Sequence, residues 1–253
     1  MLVEKTKTGG VVTFLDVLGW KGVYDRNPDA IASLKQLVEG IRTEAITLQR
    51  GRTYSIIEVK SISDTIAIFT QCSDEEASII IDIHGKLCQW AIPYSIEAEI
   101  PVRGATAFGE FETSDNIFVG KAVDEAASWH EHLDWIGVNL TPSAEFMFSP
   151  VKDSTSWRPY KAPNKSKIDW SPHCVNWTAN WQDRVNKTKS IVDKFRRLGP
   201  IVPEITGKFT NTLAFIKAMG VTKESHKNKP IHRRKSKVSI SPTRRTKPHV
   251  TRP

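Results

Sequence analysis

Apolar and β-branched residues crowd into positions 11–20, VVTFLDVLGW, broken by Asp16 and Gly19. Such a run predicts a buried strand that ends at a polar site. From Asn27-Pro28 to about Gln49, Ile31, Leu34, Leu37, Val38, Ile41, Ala45 and Leu48 recur at helical spacing, behind a start signal at Asn27-Pro28. An amphipathic helix is expected there. TYSIIEVK (53–60) and DTIAIFTQ (64–71) are β-prone runs separated by Ser61-Ile62-Ser63, which predicts a hairpin with Asp64 near its bend. Ser73-Asp74-Glu75-Glu76 supplies an N-cap with acids in the first turn, opening a helix through about Trp90. A strand follows at 100–110, IPVRGATAFGE, whose glycines permit close backbone approach. After a turn near Ser114-Asp115-Asn116 come a helix at about 120–133 and a last core strand at 135–141.

The order β-α-β-β-α-β-α-β predicts an α+β fold, a ferredoxin-like βαββαβ core with an added αβ unit and helices packed on one face. Residues 1–142 would form this domain. Beyond about 150 the pattern weakens, but Trp157, Trp170, Trp177 and Trp181 argue that 143–222 is a C-terminal extension packed on the core. Helices are expected around 182–198 and 207–219. Residues 223–253, short of apolar residues and rich in Lys, Arg, Ser and Pro, read as a disordered basic tail.

A chain of 253 residues can bury a full core without disulfides. Its three cysteines, Cys72, Cys88 and Cys174, show no CxxC spacing, which argues against a disulfide framework and against a zinc ribbon. The N-terminal MLVEKTKTGG lacks the apolar run of a signal peptide, and no stretch approaches the roughly 20 apolar residues of a membrane span. A soluble, cytoplasmic protein is expected. The net charge of +8 is unevenly placed. Residues 221–253 hold eleven of the 36 Lys and Arg and one of the 28 Asp and Glu, leaving 25 basic against 27 acidic residues in 1–220. The basicity belongs to the tail, as a solvated run or as a weak contact for nucleic acid or acidic membranes.

An aspartate closing a buried strand needs a partner, so Asp16 requires a reason. A satisfied turn at a strand end is one. Asp64, at the bend of a hairpin beside that strand, supplies another: two carboxylates at adjacent strand ends suit a two-metal phosphoryl-transfer site.

These residues resemble class III nucleotidyl cyclases, the adenylate and guanylate cyclase catalytic-domain family. FLDVLGW resembles the family's F-x-D-h-x-G strand, and VKSISDTIAIF its K-T-I-G-D hairpin. VRGATAFGE is similar to R-x-G-h-x-x-G, and GKAVDEAASWHE to G-x-x-V-N-x-A-x-R. The resemblance covers about residues 10–142. It implies that Asp16 and Asp64, with the carbonyl of Val17, hold two divalent metal ions, Mn2+ or Mg2+, that act on a nucleoside triphosphate. It also implies a head-to-tail homodimer in which Lys60, at the position of the family's purine-contacting lysine, serves the partner's site.

The departures from the pattern concern the base and the transition state. Ile117 stands where the family has its adenine-reading aspartate, Asp124 where it has the transition-state asparagine, and Ser128 where it has the transition-state arginine. A degenerate, inactive domain and a divergent cyclase are both consistent with this. The stand-alone domain with its C-terminal extension is similar to the pyrimidine nucleotide cyclases of bacterial Pycsar antiphage systems, which implies cyclic UMP or cyclic CMP as product and a separate effector as its target. Arg103, on a strand near the expected site, is a candidate catalytic cation or an exposed ion pair. Tyr54 shares strand parity with Lys60 and is a candidate base contact or a packing residue. His130 and His132 fall on different helix faces, unlike a zincin pair.

Overall fold

A computed structural model describes residues 9–50, 56–115, 117–166, 168–179, 181, 193–195 and 203–227. Strands β1 (Gly9–Val17), β2 (Ile57–Ile62), β3 (Thr65–Gln71) and β4 (Val102–Glu110) form an antiparallel core in the order β2-β3-β1-β4. Helix α1 (Val23–Arg26) and helix α2 (Ala30–Gln49) follow β1, and α3 (Ala77–Glu97) joins β3 to β4. This is the expected βαββαβ arrangement. A small hairpin, β5 (Glu112–Ser114) and β6 (Ile117–Val119), leads to α4 (Lys121–His132) and β7 (Val138–Leu140), which pairs parallel to β4 as the added αβ unit.

Both faces of the sheet are apolar, and that decides where the helices go. Val11, Leu15, Ile66 and Ile68 pack with α2 and α3 in one core, while Val12, Phe14, Ala67, Phe69 and Ala107 pack with Ala122, Val123 and Ala126 of α4 in a second. The expectation of helices on a single face is therefore corrected: α4 covers the opposite one. A strand that is apolar on both faces must be buried on both. Gly104 on β4 meets β1 so closely that a Cβ would lie 2.1 Å from the Phe14 carbonyl oxygen, the close approach expected of the 100–110 glycines.

Helix α2 buries Ala30, Leu34, Leu37, Val38, Ile41 and Ala45 at the spacing of one helical face. Ile31, counted in that stripe from the sequence, is instead 56% exposed. Helix α3 is buried nearly all round because it is covered on two sides. One side meets the sheet. The other meets the extension, where Trp157 Nε1 donates to the Ile81 carbonyl at 3.0 Å and Gln89 Nε2 donates to the Thr155 and Asn176 carbonyls at 3.2 and 2.8 Å. Asp82, buried on α3, accepts the hydroxyls of Ser154 and Ser156 and pairs with Lys86 at 2.8 Å. The helix runs past the expected end at Trp90, through Pro93, to Glu97.

After α5 (Pro142–Met147), strands β8 (Trp157–Pro159) and β9 (His173–Val175) extend the sheet to seven strands, order β2-β3-β1-β4-β7-β9-β8. The last helix, α6 (Pro203–Lys227), spans the expected 207–219 and is longer. Its Thr212 hydroxyl accepts the Ile136 amide at 2.8 Å, and Asn211 Nδ2 donates to the Asp134 carbonyl at 2.8 Å. Phe215, fully buried, touches Trp135, Tyr160 and Trp177 at ring-centroid distances of 4.7, 5.0 and 6.0 Å. The first five residues of the expected tail, 223–227, belong to α6, and 228–253 lie outside the described residues, as does nearly all of the helix expected at 182–198. Cys72, Cys88 and Cys174 are free thiols. Among the described residues no helix is long and apolar enough to cross a membrane.

Candidate active site

Alternation along β1 sends Asp16 to the α4 face, the side lined by Val12 and Phe14. Across the ladders Asp16 stands opposite Thr65 on β3 and Arg103 on β4. Asp64 precedes Thr65 in the two-residue turn of the β2-β3 hairpin, where Ser63 takes a positive φ of 54°. The Asp64 carbonyl accepts the Val17 amide at 3.1 Å. Register and turn together thus bring the two carboxylates within electrostatic reach of each other at one end of the sheet.

Burial holds the Asp16 carboxyl above the usual carboxylate range. The Arg103 and His130 charges draw it back without cancelling that effect, and Asp64 adds to it. Arg103 donates from Nε and Nη2 to Asp16 Oδ2 at 3.3 and 3.2 Å, and from Nη1 to the Glu131 and Leu133 carbonyls at 3.1 Å each. Its side chain is 11% exposed. The ion pair is therefore half-buried rather than exposed, and it ties Asp16 to the C-terminal end of α4. His130 joins this neighbourhood from α4, its ring 6.2 Å from that of Phe14. Its place is legible afterwards: Ala122, Ala126 and His130 recur every four residues on the buried face of α4. His132 is exposed, so the two rings do face different ways.

The other sequence candidates lie elsewhere. Lys60 on β2 faces the same side as Phe69, over whose ring its ammonium sits at 6.0 Å, and pairs with Glu58 at 3.4 Å. Ile117 is 69% exposed on β6. Asp124 is exposed in the first turn of α4 and lines a cleft of about 340 Å³ with Glu110, Phe111, Glu112 and Lys121. Ser128 is exposed and its hydroxyl donates to the Asp124 carbonyl at 2.8 Å. Tyr54 lies outside the described residues. Since Gly9 pairs with Glu110 and Asp16 with Arg103, the Asp124 cleft and the Asp16 end are separated by seven strand positions, about 24 Å.

The donors near Asp16 suit a hard cation. Two carboxylates and a main-chain carbonyl are oxygen ligands of the kind Mg2+ and Mn2+ prefer, and Mg2+ at phosphate sites commonly takes one or two carboxylates and completes its shell with water and substrate. Among the described residues no group of three or more His, Cys, Asp or Glu forms a metal cage, so substrate oxygens would have to complete the shell.

No family model matches the chain, and no curated protein matches it. Among solved structures, the chain is similar to the catalytic core of a rhodopsin-guanylyl cyclase with converted specificity in complex with ATPαS, at 17% identity and a TM-score of 0.46 over 67% of this chain and 95% of that one. It is similar to the guanylyl cyclase Cya2 at 9% identity and a TM-score of 0.45, over 67% and 91%. A class III adenylyl cyclase-like ATP-binding protein from Pseudomonas aeruginosa aligns at 13% identity and a TM-score of 0.39, covering 56% of this chain and 35% of that one.

Proposed function

We propose that this chain is a nucleotidyl cyclase that converts a pyrimidine nucleoside triphosphate, UTP rather than CTP, into the 3′,5′-cyclic monophosphate and diphosphate. The observation that carries the reading is the pairing of Asp16 and Asp64 at one end of a ferredoxin-like sheet, reached through the register of β1 and the turn of the β2-β3 hairpin. Divalent cations held by Asp16, Asp64 and the Val17 carbonyl would supply activation of the ribose 3′-hydroxyl and neutralisation of the triphosphate. The 3′-oxygen forms its bond to the α-phosphorus as the bond to diphosphate breaks, and the hydroxyl proton leaves to solvent.

Arg103 is the positioning residue in this scheme, since its fork orients Asp16. Lys60, Ile117 and Asp124 contact the substrate from a second copy. The separation of about 24 Å along the strands between the Asp16 end and the Asp124 cleft favours a head-to-tail homodimer, because only an antiparallel partner brings the two ends together. Ile117 offers no acceptor for the amine of adenine, in keeping with a pyrimidine substrate. The residue motifs resemble cyclases of antiphage systems, so the product is assigned to a second-messenger role in antiviral defence, acting on a separate effector. The basic residues of 223–253 would add at most a weak contact with nucleic acid.

The test is incubation of the full chain with each of the four ribonucleoside triphosphates and Mn2+, with cyclic products detected by mass. Cyclic UMP is the expected product, and Asp16→Asn or Asp64→Asn should each cost at least about a hundredfold in rate. A folded dimer that yields no cyclic product from any of the four would leave a non-catalytic nucleotide-binding domain as the better description.

A further inference from the structure

At the carboxyl end of β1 a cleft opens between residues 17–19 and α6. Val17, Leu18, Gly19, Pro101, Phe209 and Lys208 wall it. Its free volume is about 50 Å³, room for a few waters or one phosphate group, not for a nucleoside. Lys208 on its wall lies within electrostatic reach of Asp16 and Arg103, so the cleft adjoins the carboxylate site.

Lys208 is half-buried, and its ammonium makes no hydrogen bond or ion pair with any described residue. A partly desolvated ammonium is costly unless a counter-charge meets it. Its surroundings select the ligand's sign. Arg103 and Lys165 stand within electrostatic reach and, after burial itself, draw the ammonium below its ordinary range against the opposing pull of Asp134 and Asp16. Arg103 has already engaged Asp16 and two carbonyls. Asp134 accepts from Asn211 Nδ2 at 3.3 Å. Asp16 is engaged by Arg103, which leaves Lys208 as the cleft-lining cation to meet an anion. Glu99 stands exposed at the rim, so that anion would sit at the Lys208 side.

We propose that Lys208 binds the terminal phosphate of the nucleoside triphosphate in this cleft, so that α6 supplies in cis a cation that Ser128 does not. This assignment rests on the nucleotide reading of the site. The placement is firm because α6 is docked at Phe215, Thr212 and Asn211, and because Gly207 lies so close to Asp134 that a Cβ would meet its Oδ2 at 2.7 Å. As diphosphate departs, charge accumulates on the group whose terminal phosphate this ammonium would face.

Limited acetylation of the full chain, read lysine by lysine by mass spectrometry, tests the contact without requiring turnover. Inorganic tripolyphosphate and UTP should each protect Lys208 roughly tenfold or more, while Lys217, exposed on the same helix, is left as reactive as before. In the cyclase assay, Lys208→Met should lower kcat/KM by roughly 10- to 100-fold, and Lys208→Arg should retain most of it. Melting and elution like the parent protein would show that both variants fold. Cyclic product with Lys208 unprotected overturns this inference and leaves the cyclase reading standing. Protection of Lys208 with no cyclic product overturns the cyclase reading and leaves the anion site.

Discussion

His84 and Asp16 are both titratable and both drawn out of water, yet their partners differ in kind. His84, fully buried on α3, contacts the hydroxyls of Thr13 and Thr70 through Nδ1 and Nε2 at 2.8 and 2.9 Å, and Thr13 meets Thr106 at 2.7 Å. Neutral hydroxyls bring no counter-charge to offset desolvation, so burial pushes the imidazole from 6.5 down to about 3. Between those values the unfolded chain binds a proton that the folded chain refuses. Stability contributed by this neutral ring is therefore present above pH 6.5 and lost as pH falls toward 3, with a slope of up to about 1.4 kcal/mol per pH unit. Urea midpoints of the parent protein should drop more steeply between pH 6 and pH 4 than those of His84→Asn. Parallel profiles would mean that the ring is protonated in the fold. Asp16, by contrast, keeps a cation beside it in Arg103, which draws its carboxyl back toward the ordinary range.

At the scale of elements, α6 illustrates what the sequence could and could not convey. Phe215→Ala should cost about 3–5 kcal/mol, since Phe215 is fully buried among Trp135, Tyr160 and Trp177. Chemical denaturation would measure this, and a change under about 1 kcal/mol would show that the helix is not held there. The helix was foreseen at 207–219, but Lys208 was not singled out, because its meaning comes from β1 and β4 residues more than a hundred positions away. Asp64 at a hairpin bend was legible, since two β-prone runs with a short gap leave little choice of register. The face taken by α4 was not. Its own apolar stripe is plain, but β1 is apolar on both sides, so the pattern along the strand does not say which side each helix covers. Pro93 would ordinarily stop a helix, and α3 continues past it because Ile92 and Ile96 are buried on either side.

For the whole molecule, the proposed reading, in which the Asp124 cleft lies seven strand positions from Asp16 and Lys60 serves the partner's site, would make activity a property of two chains. Mixing inactive Lys60→Ala with inactive Asp64→Asn should restore on the order of a quarter of the parent rate, because half of the dimers would be mixed and each would carry one intact site. A mixture as silent as its components would place all these residues in a site made by one chain. The outer strands carry a different kind of consequence. β9 and β8 lie beyond β7, and β8 is only three residues long and ends in Pro159, which has no amide to donate. Without them β7 would offer a bare edge on which another chain could add a strand. The extension therefore also acts as a stop for this edge of the sheet, keeping copies of this chain from adding a strand beyond β7.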